Sequence, residues 1–164
     1  AMNPCPCGNY GSRIHPCRCT QSQVERYRGR ISGPLLDRID IHVEMPEVGF
    51  SELSERSRGE TSAAVRARVE QARRVQRERF RDEGILLNAQ MNPRQIRKYC
   101  LPDPASERLL RLAYDELQLS ARAYQRILKV ARTIADVEGE EMIRQAHYAE
   151  AIQYRSLDRR GKEA

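Results

Sequence analysis

The chain has 164 residues and a formal net charge of +6; charged side chains make up 32% of it, and it has two Phe and no Trp. That length suits one ordinary domain or a small domain with an appendage, and the scarcity of aromatics gives it a thin core. No apolar run approaches the ~20 residues needed to span a bilayer, which disfavours a membrane role. The positive balance comes almost entirely from arginine, whose planar guanidinium suits phosphate; nucleic acid, nucleotide and acidic protein surfaces are the partner classes it favours.

Residues 1–20 are rich in Pro, Gly and Asn and read as an irregular knuckle. They hold Cys5-Pro6-Cys7 and Cys17-Arg18-Cys19, with Gly8 and Gly11 in the loop between. Four thiolates in one short loop, Cys5, Cys7, Cys17 and Cys19, can surround a tetrahedral structural Zn²⁺; two disulfides or four free thiols are the alternatives. The absence of a secretory signal and an odd fifth cysteine, Cys100, fit a reducing cytoplasm. His15 is a fifth candidate ligand, its reach restricted by Pro16.

A short helix is expected over about 22–30, and Gly33-Pro34 opens a further helical turn through Leu35, Leu36 and Arg38. Ile39, Ile41, Val43 and Met45 then alternate with Asp40, His42 and Glu44, which predicts a half-buried strand ended by Pro46. Residues 47–61 are polar and read as a linker.

From Thr61 onward the pattern is helical. Thr61 or Ser62 caps an arginine-rich helix to about residue 82, with a narrow stripe of Val65, Val69, Ala72, Val75 and Phe80. Asn92-Pro93 with Gln95, and Asp103-Pro104, each combine an N-cap with a proline at the first helical position. Ser120 caps a fourth helix with the broad apolar face Tyr124, Ile127, Leu128, Ala131, Ile134, Ala135 and Val137, stopped by Gly139. A last helix over about 143–154 completes a small bundle spanning 85–155. The organisation expected is a core remnant over 1–46, linker and arginine-rich helix over 47–84, a helical bundle over 85–158, and a charged tail over 159–164. The fold class is mainly α.

Met2-Asn3-Pro4, the run Arg30-Ile31-Ser32-Gly33-Pro34-Leu35-Leu36-Asp37-Arg38-Ile39-Asp40, and Leu119-Ser120-Ala121-Arg122-Ala123 stand in an order that resembles the back half of an AAA+ ATPase. With the double C-x-C loop, about residues 1–158 resemble the magnesium chelatase-like bacterial proteins of the YifB/ComM family. The resemblance implies roles. Asn3 falls at sensor 1, which orients the attacking water. Arg38 falls at the arginine finger, reaching the nucleotide of a neighbouring subunit. Arg122 falls at sensor 2, where a helix N-terminus and a guanidinium favour phosphate, with Arg126 as competitor for that role. From its surroundings alone, Arg38 reads as a surface ion pair with Asp37 or Asp40. Chelatase motor subunits lack the cysteine pairs and read Arg-Phe where this chain has Arg38-Ile39, which makes porphyrin metallation the less expected activity.

The sequence holds no G-x-x-x-x-G-K-[ST] phosphate loop and no apolar strand ending in paired acids for Mg²⁺. The chain is therefore expected to be inactive alone, a carboxy-terminal part of a longer ATP- and Mg²⁺-dependent cytoplasmic ring motor, most simply a hexamer, acting on DNA in branch migration or a related helicase step. Two other readings stand beside it. One is a non-enzymatic zinc-plus-helix module binding nucleic acid through Arg66, Arg68, Arg73, Arg74, Arg77, Arg79 and Arg81, against which Glu70, Glu78, Asp82 and Glu83 are interleaved. The other is a chelatase or protein-remodelling motor whose client is not DNA.

Overall fold

The computed structural model of the chain describes residues 1–48 and 59–155. The expected linker stretch over 49–58 and the tail over 156–164 lie outside the described residues. As expected, the fold is mainly α. Its helices, in chain order, are α1 (Gln21–Arg28), α2 (Gly33–Leu36), α3 (Ser62–Arg79), α4 (Pro93–Tyr99), α5 (Pro104–Leu117), α6 (Ala121–Glu138) and α7 (Gln145–Gln153), with a 3-10 turn at Asn88–Gln90.

The caps explain where these helices start and stop. Thr20 accepts from the Gln23 N–H while the Gln23 side chain accepts from the Thr20 N–H, a reciprocal box that starts α1. Thr61, Asn92, Asp103 and Ser120 each accept a backbone N–H of the first turn of α3, α4, α5 and α6. Gly139 ends α6 at φ 75°, a left-handed conformation that costs a residue with a Cβ. Gln118 takes the same region at φ 46° to end α5.

The core lies where the broad apolar face of α6 predicts it. Ala123, Ile127, Leu128, Ala131 and Ala135 are buried together with Ile96, Cys100, Leu110, Leu117, Ile143, Tyr148 and Ala151. Phe80, at the end of α3, joins this cluster and meets Tyr99 edge-to-face at 5.4 Å. Tyr148 is fully buried, and its hydroxyl donates to the Cys100 carbonyl at 3.2 Å. α6 is thus the centre, packed by α3, α4, α7 and the 3-10 turn.

A second layer of order is polar. Asp136 is completely buried and accepts from Arg79 (2.5 and 2.8 Å), Arg132 (3.0 Å) and Asn88 (2.7 Å). Arg132 also donates to the carbonyls of Glu140 and Glu141. One carboxylate therefore ties α3, the 3-10 turn, α6 and the loop after it. Of the valine stripe on α3, only its carboxy-terminal end packs: Ala72 and Phe80 are buried, whereas Val65 and Val69 are exposed.

The strand expected over 39–45 does not form; no strand occurs among the described residues. The side chains meant to be buried, Ile39, Ile41, Val43 and Met45, are exposed, and His42 from the opposite face is buried. The reason is the lack of a neighbouring strand: an isolated extended segment leaves its backbone groups unpaired. These groups instead meet the bundle, the His42 N–H donating to the Tyr154 carbonyl at 2.8 Å.

Candidate functional site

The cysteine knuckle is built by two tight turns. The Gly8 N–H donates to the Cys5 carbonyl at 3.1 Å, with Gly8 at φ 86°, and the chain reverses again at Gly11, φ 83°. Cys5 is buried, and Cys7, Cys17 and Cys19 range from exposed to half-buried. All four Sγ atoms lie within 4.8 Å of one another, and three of the separations are 3.4, 3.6 and 3.8 Å. Four sulfurs at 2.3 Å from a tetrahedral zinc would stand about 3.8 Å apart, so the cage has the right size for that ion. All five cysteines are free thiols. His15 is exposed and outside the cluster.

Backbone dipoles favour anionic sulfur here. The N–H groups of Asn9 and Arg18, with the Cys5 thiol, bring Cys7 down to about 6. Cys19 receives the Cys7 N–H, but burial and the adjoining Cys7 and Cys5 thiols outweigh it and push it up to about 12. Four thiols packed this closely cannot all ionise without a cation among them. Cys100 stands apart in the helical core, where burial raises it to about 12. The knuckle rests on α1: Val24 is buried, and Arg28 stacks 4.5 Å over the Tyr10 ring while donating to the Pro4 carbonyl at 3.1 Å.

A groove of about 590 Å³ runs along α6. Arg122, Arg126 and Lys129, spaced so that they share one helix face, line it together with Asp40, Ile41 and Tyr154. Arg122 is exposed and engages no acid among the described residues, whereas Arg126 forms an ion pair with Asp40. Lys129 donates to the Ala89 carbonyl at 2.8 Å, and burial lowers its pKa.

Arg38 follows α2 in a short run of turns and is exposed. The two acids that would neutralise it are turned elsewhere: Asp40 to Arg126, and Asp37 to the buried Arg155 at 3.8 Å. Asn3 is exposed at the knuckle, its Nδ2 near Gly8. The structure thus brings Arg122, Arg126 and, from the segment after Arg38, Asp40 and Ile41 to one groove, which Asn3 and Arg38 do not line. Sequence reasoning overlooked Lys129, Arg155 and the role of Asp40. Lys129 was legible from its seven-residue spacing after Arg122; Arg155 was not, because it follows the last periodic apolar position.

Residues 59–155 match the family described as "Magnesium chelatase, subunit ChlI C-terminal", and residues 1–53 match "Magnesium chelatase, subunit ChlI". The chain is 43% identical over 160 residues to the competence protein ComM of Haemophilus influenzae and 44% identical to YifB of Salmonella typhimurium, in each case over 97% of this chain and 30% of the relative. A protein of Mycobacterium tuberculosis is 35% identical over 98% of the chain and 31% of its own length. The chain therefore spans about three-tenths of the length of these relatives.

Proposed function

Because the chain belongs to the magnesium chelatase-like family that includes ComM and YifB, we propose that it supplies the carboxy-terminal working parts of an AAA+ ATPase. In this reading Asn3 serves as sensor 1, Arg38 as the arginine finger and Arg122 as sensor 2; ATP and Mg²⁺ are held elsewhere in the full-length protein. The observation that carries it is the state of Arg38. Asp37 and Asp40, the acids that would make it an ordinary surface pair, face Arg155 and Arg126. An exposed guanidinium that pairs with no carboxylate among the described residues is suited to the charge that develops on a phosphate of an adjoining subunit. Arg122 is favoured over Arg126 as the phosphate sensor because Arg126 already faces Asp40, whereas Arg122, in the first turn of α6, pairs with no acid among the described residues. The knuckle fits a structural Zn²⁺ on Cys5, Cys7, Cys17 and Cys19, where the ion would supply a cross-link and no chemistry.

A finger that works in trans requires a closed ring, which we take as a hexamer in the bacterial cytoplasm. DNA is the proposed client, with branch migration or helicase action as the work done. Its support here is α3 and the turn after it: Arg66, Arg73, Arg74 and Arg77 make no ion pair with described residues, while Arg68, Arg79 and Arg81 pair with Glu60, Asp136 and Glu78. The same observation favours a second reading, in which the chain is a zinc-plus-helix module that binds nucleic acid without catalysis. The test is Arg38→Ala in the full-length protein. The motor reading expects kcat to fall on the order of 10³-fold with ATP affinity kept; unchanged turnover would leave the binding-module reading standing.

A further inference from the structure

The segment that carries Arg38 has no sheet to hold it, yet it is anchored on both sides of that residue. Asp37 faces the Arg155 guanidinium at 3.8 Å, and the Ile39 carbonyl accepts from Arg155 Nη1 at 2.5 Å. Asp40 pairs with Arg126, and the His42 N–H donates to the Tyr154 carbonyl at 2.8 Å. Every one of these partners lies on α6 or in the turn that ends α7. None lies on α3, α4 or α5. Arg155 is 1% exposed and its own N–H donates to the Ile152 carbonyl at 2.9 Å, so it is fixed at the end of α7, which packs on α6.

We infer that Arg155 is a positioning residue for the finger: with Asp40 it seats residues 37–42 on the two helices of the bundle that flank the groove, and leaves the Arg38 guanidinium exposed with no acidic partner among the described residues. This rests on the motor reading given above. The chemistry of the clamp is specific. A guanidinium presents several donors in a rigid fork, so Arg155 hydrogen-bonds the Ile39 carbonyl through Nη1 while Nη2 keeps its charge 3.8 Å from the Asp37 carboxylate, an arrangement that a lysine ammonium on a flexible stem reproduces less well. The consequence is mechanical. Arg122, the proposed sensor of the subunit's own nucleotide, and Arg126, which grips Asp40, are one turn apart on α6. A displacement of α6 on capturing a phosphate is carried through Arg126 and Asp40 to the segment of Arg38, which Arg155 holds from the end of α7.

The experiment compares kcat and KM for ATP in the full-length protein for Arg38→Ala, Arg155→Ala, Arg155→Lys, Asp40→Asn and the Arg38→Ala/Arg155→Ala double variant. The clamp predicts that Arg155→Ala lowers kcat by about 100-fold with KM little changed, the penalty of misplacing a reacting group by an ångström. Arg155→Lys should recover only part of that loss. The double variant should be no slower than Arg38→Ala, since a finger that is gone cannot be misplaced. Asp40, whose side chain is 54% exposed, guards against failure to fold: Asp40→Asn should lower kcat in the same direction, and in this chain it should speed amide exchange over residues 38–42 while α6 stays protected. If Arg38→Ala slows turnover and Arg155→Ala and Asp40→Asn do not, or if the double loss is the product of the single ones, the clamp is overturned. If Arg38→Ala itself has no effect, the motor reading fails instead.

Discussion

Asp136 shows how much one side chain decides in a protein with so few large apolar residues. Its carboxylate accepts from two guanidiniums and an amide in a place no solvent reaches. Removing one partner of a buried ionic group strands the others, so Asp136→Asn should lower unfolding free energy by about 3 kcal/mol, read from urea denaturation. A change below the noise of that measurement would mean that water replaces the lost charge. Glu83 supplies a pH signature. Lys98, Tyr99 and Gln95 all donate to it and hold its pKa near 2 against an ordinary 4.5. A carboxyl depressed on folding contributes stability that is present above its unfolded value and lost as pH falls towards the folded one. Thermal stability should therefore decline between roughly pH 5 and pH 2, and Glu83→Gln should flatten part of that decline; identical profiles would show that other acids govern it.

At the scale of elements, the helices were legible because their signals are local. Asn92-Pro93-Gln95, Asp103-Pro104, Ser120 and Gly139 act within one turn of themselves, and each start or stop lies where those residues stand. The strand over 39–45 was misread because alternation states only that one face could be buried, and burial depends on a neighbour that is distant in sequence. The contacts that replaced it, Asp40 with Arg126 and Ile39 with Arg155, join positions 86 and 116 residues apart. No local pattern encodes such pairs. The cysteine knuckle is the opposite case, since its two close cysteine pairs and the glycine turns between them are all local in the sequence. Its apolar support is small, chiefly Val24 and the Arg28–Tyr10 stack, so the Zn²⁺ proposed for it would carry much of its order. Stripping metal with a chelator should speed amide exchange over residues 1–20 and leave α4 to α7 protected, with about one zinc released per chain. Exchange that ignores the chelator would contradict the zinc assignment.

For the molecule as a whole, the bundle and the segment around Arg38 make one argument. α6 buries its apolar face in the core, lines the groove with Arg122 and Arg126, and through Asp40 holds the chain beside Arg38. No helix of the described residues is long and apolar enough to cross a membrane, and Arg66, Arg73, Arg74 and Arg77 of α3 stay exposed rather than joining the core. The central claim is that Arg38 serves a nucleotide bound to another subunit. Mixing tests it most directly: full-length subunits carrying Arg38→Ala are combined with full-length subunits disabled in ATP binding, and ATP turnover of the mixture is measured. Each population lacks what the other keeps, so the account predicts that the mixture turns over ATP faster than either alone. A mixture no faster than its two components, with Arg38→Ala subunits unable to bind ATP, would place Arg38 in its own subunit's pocket and contradict it.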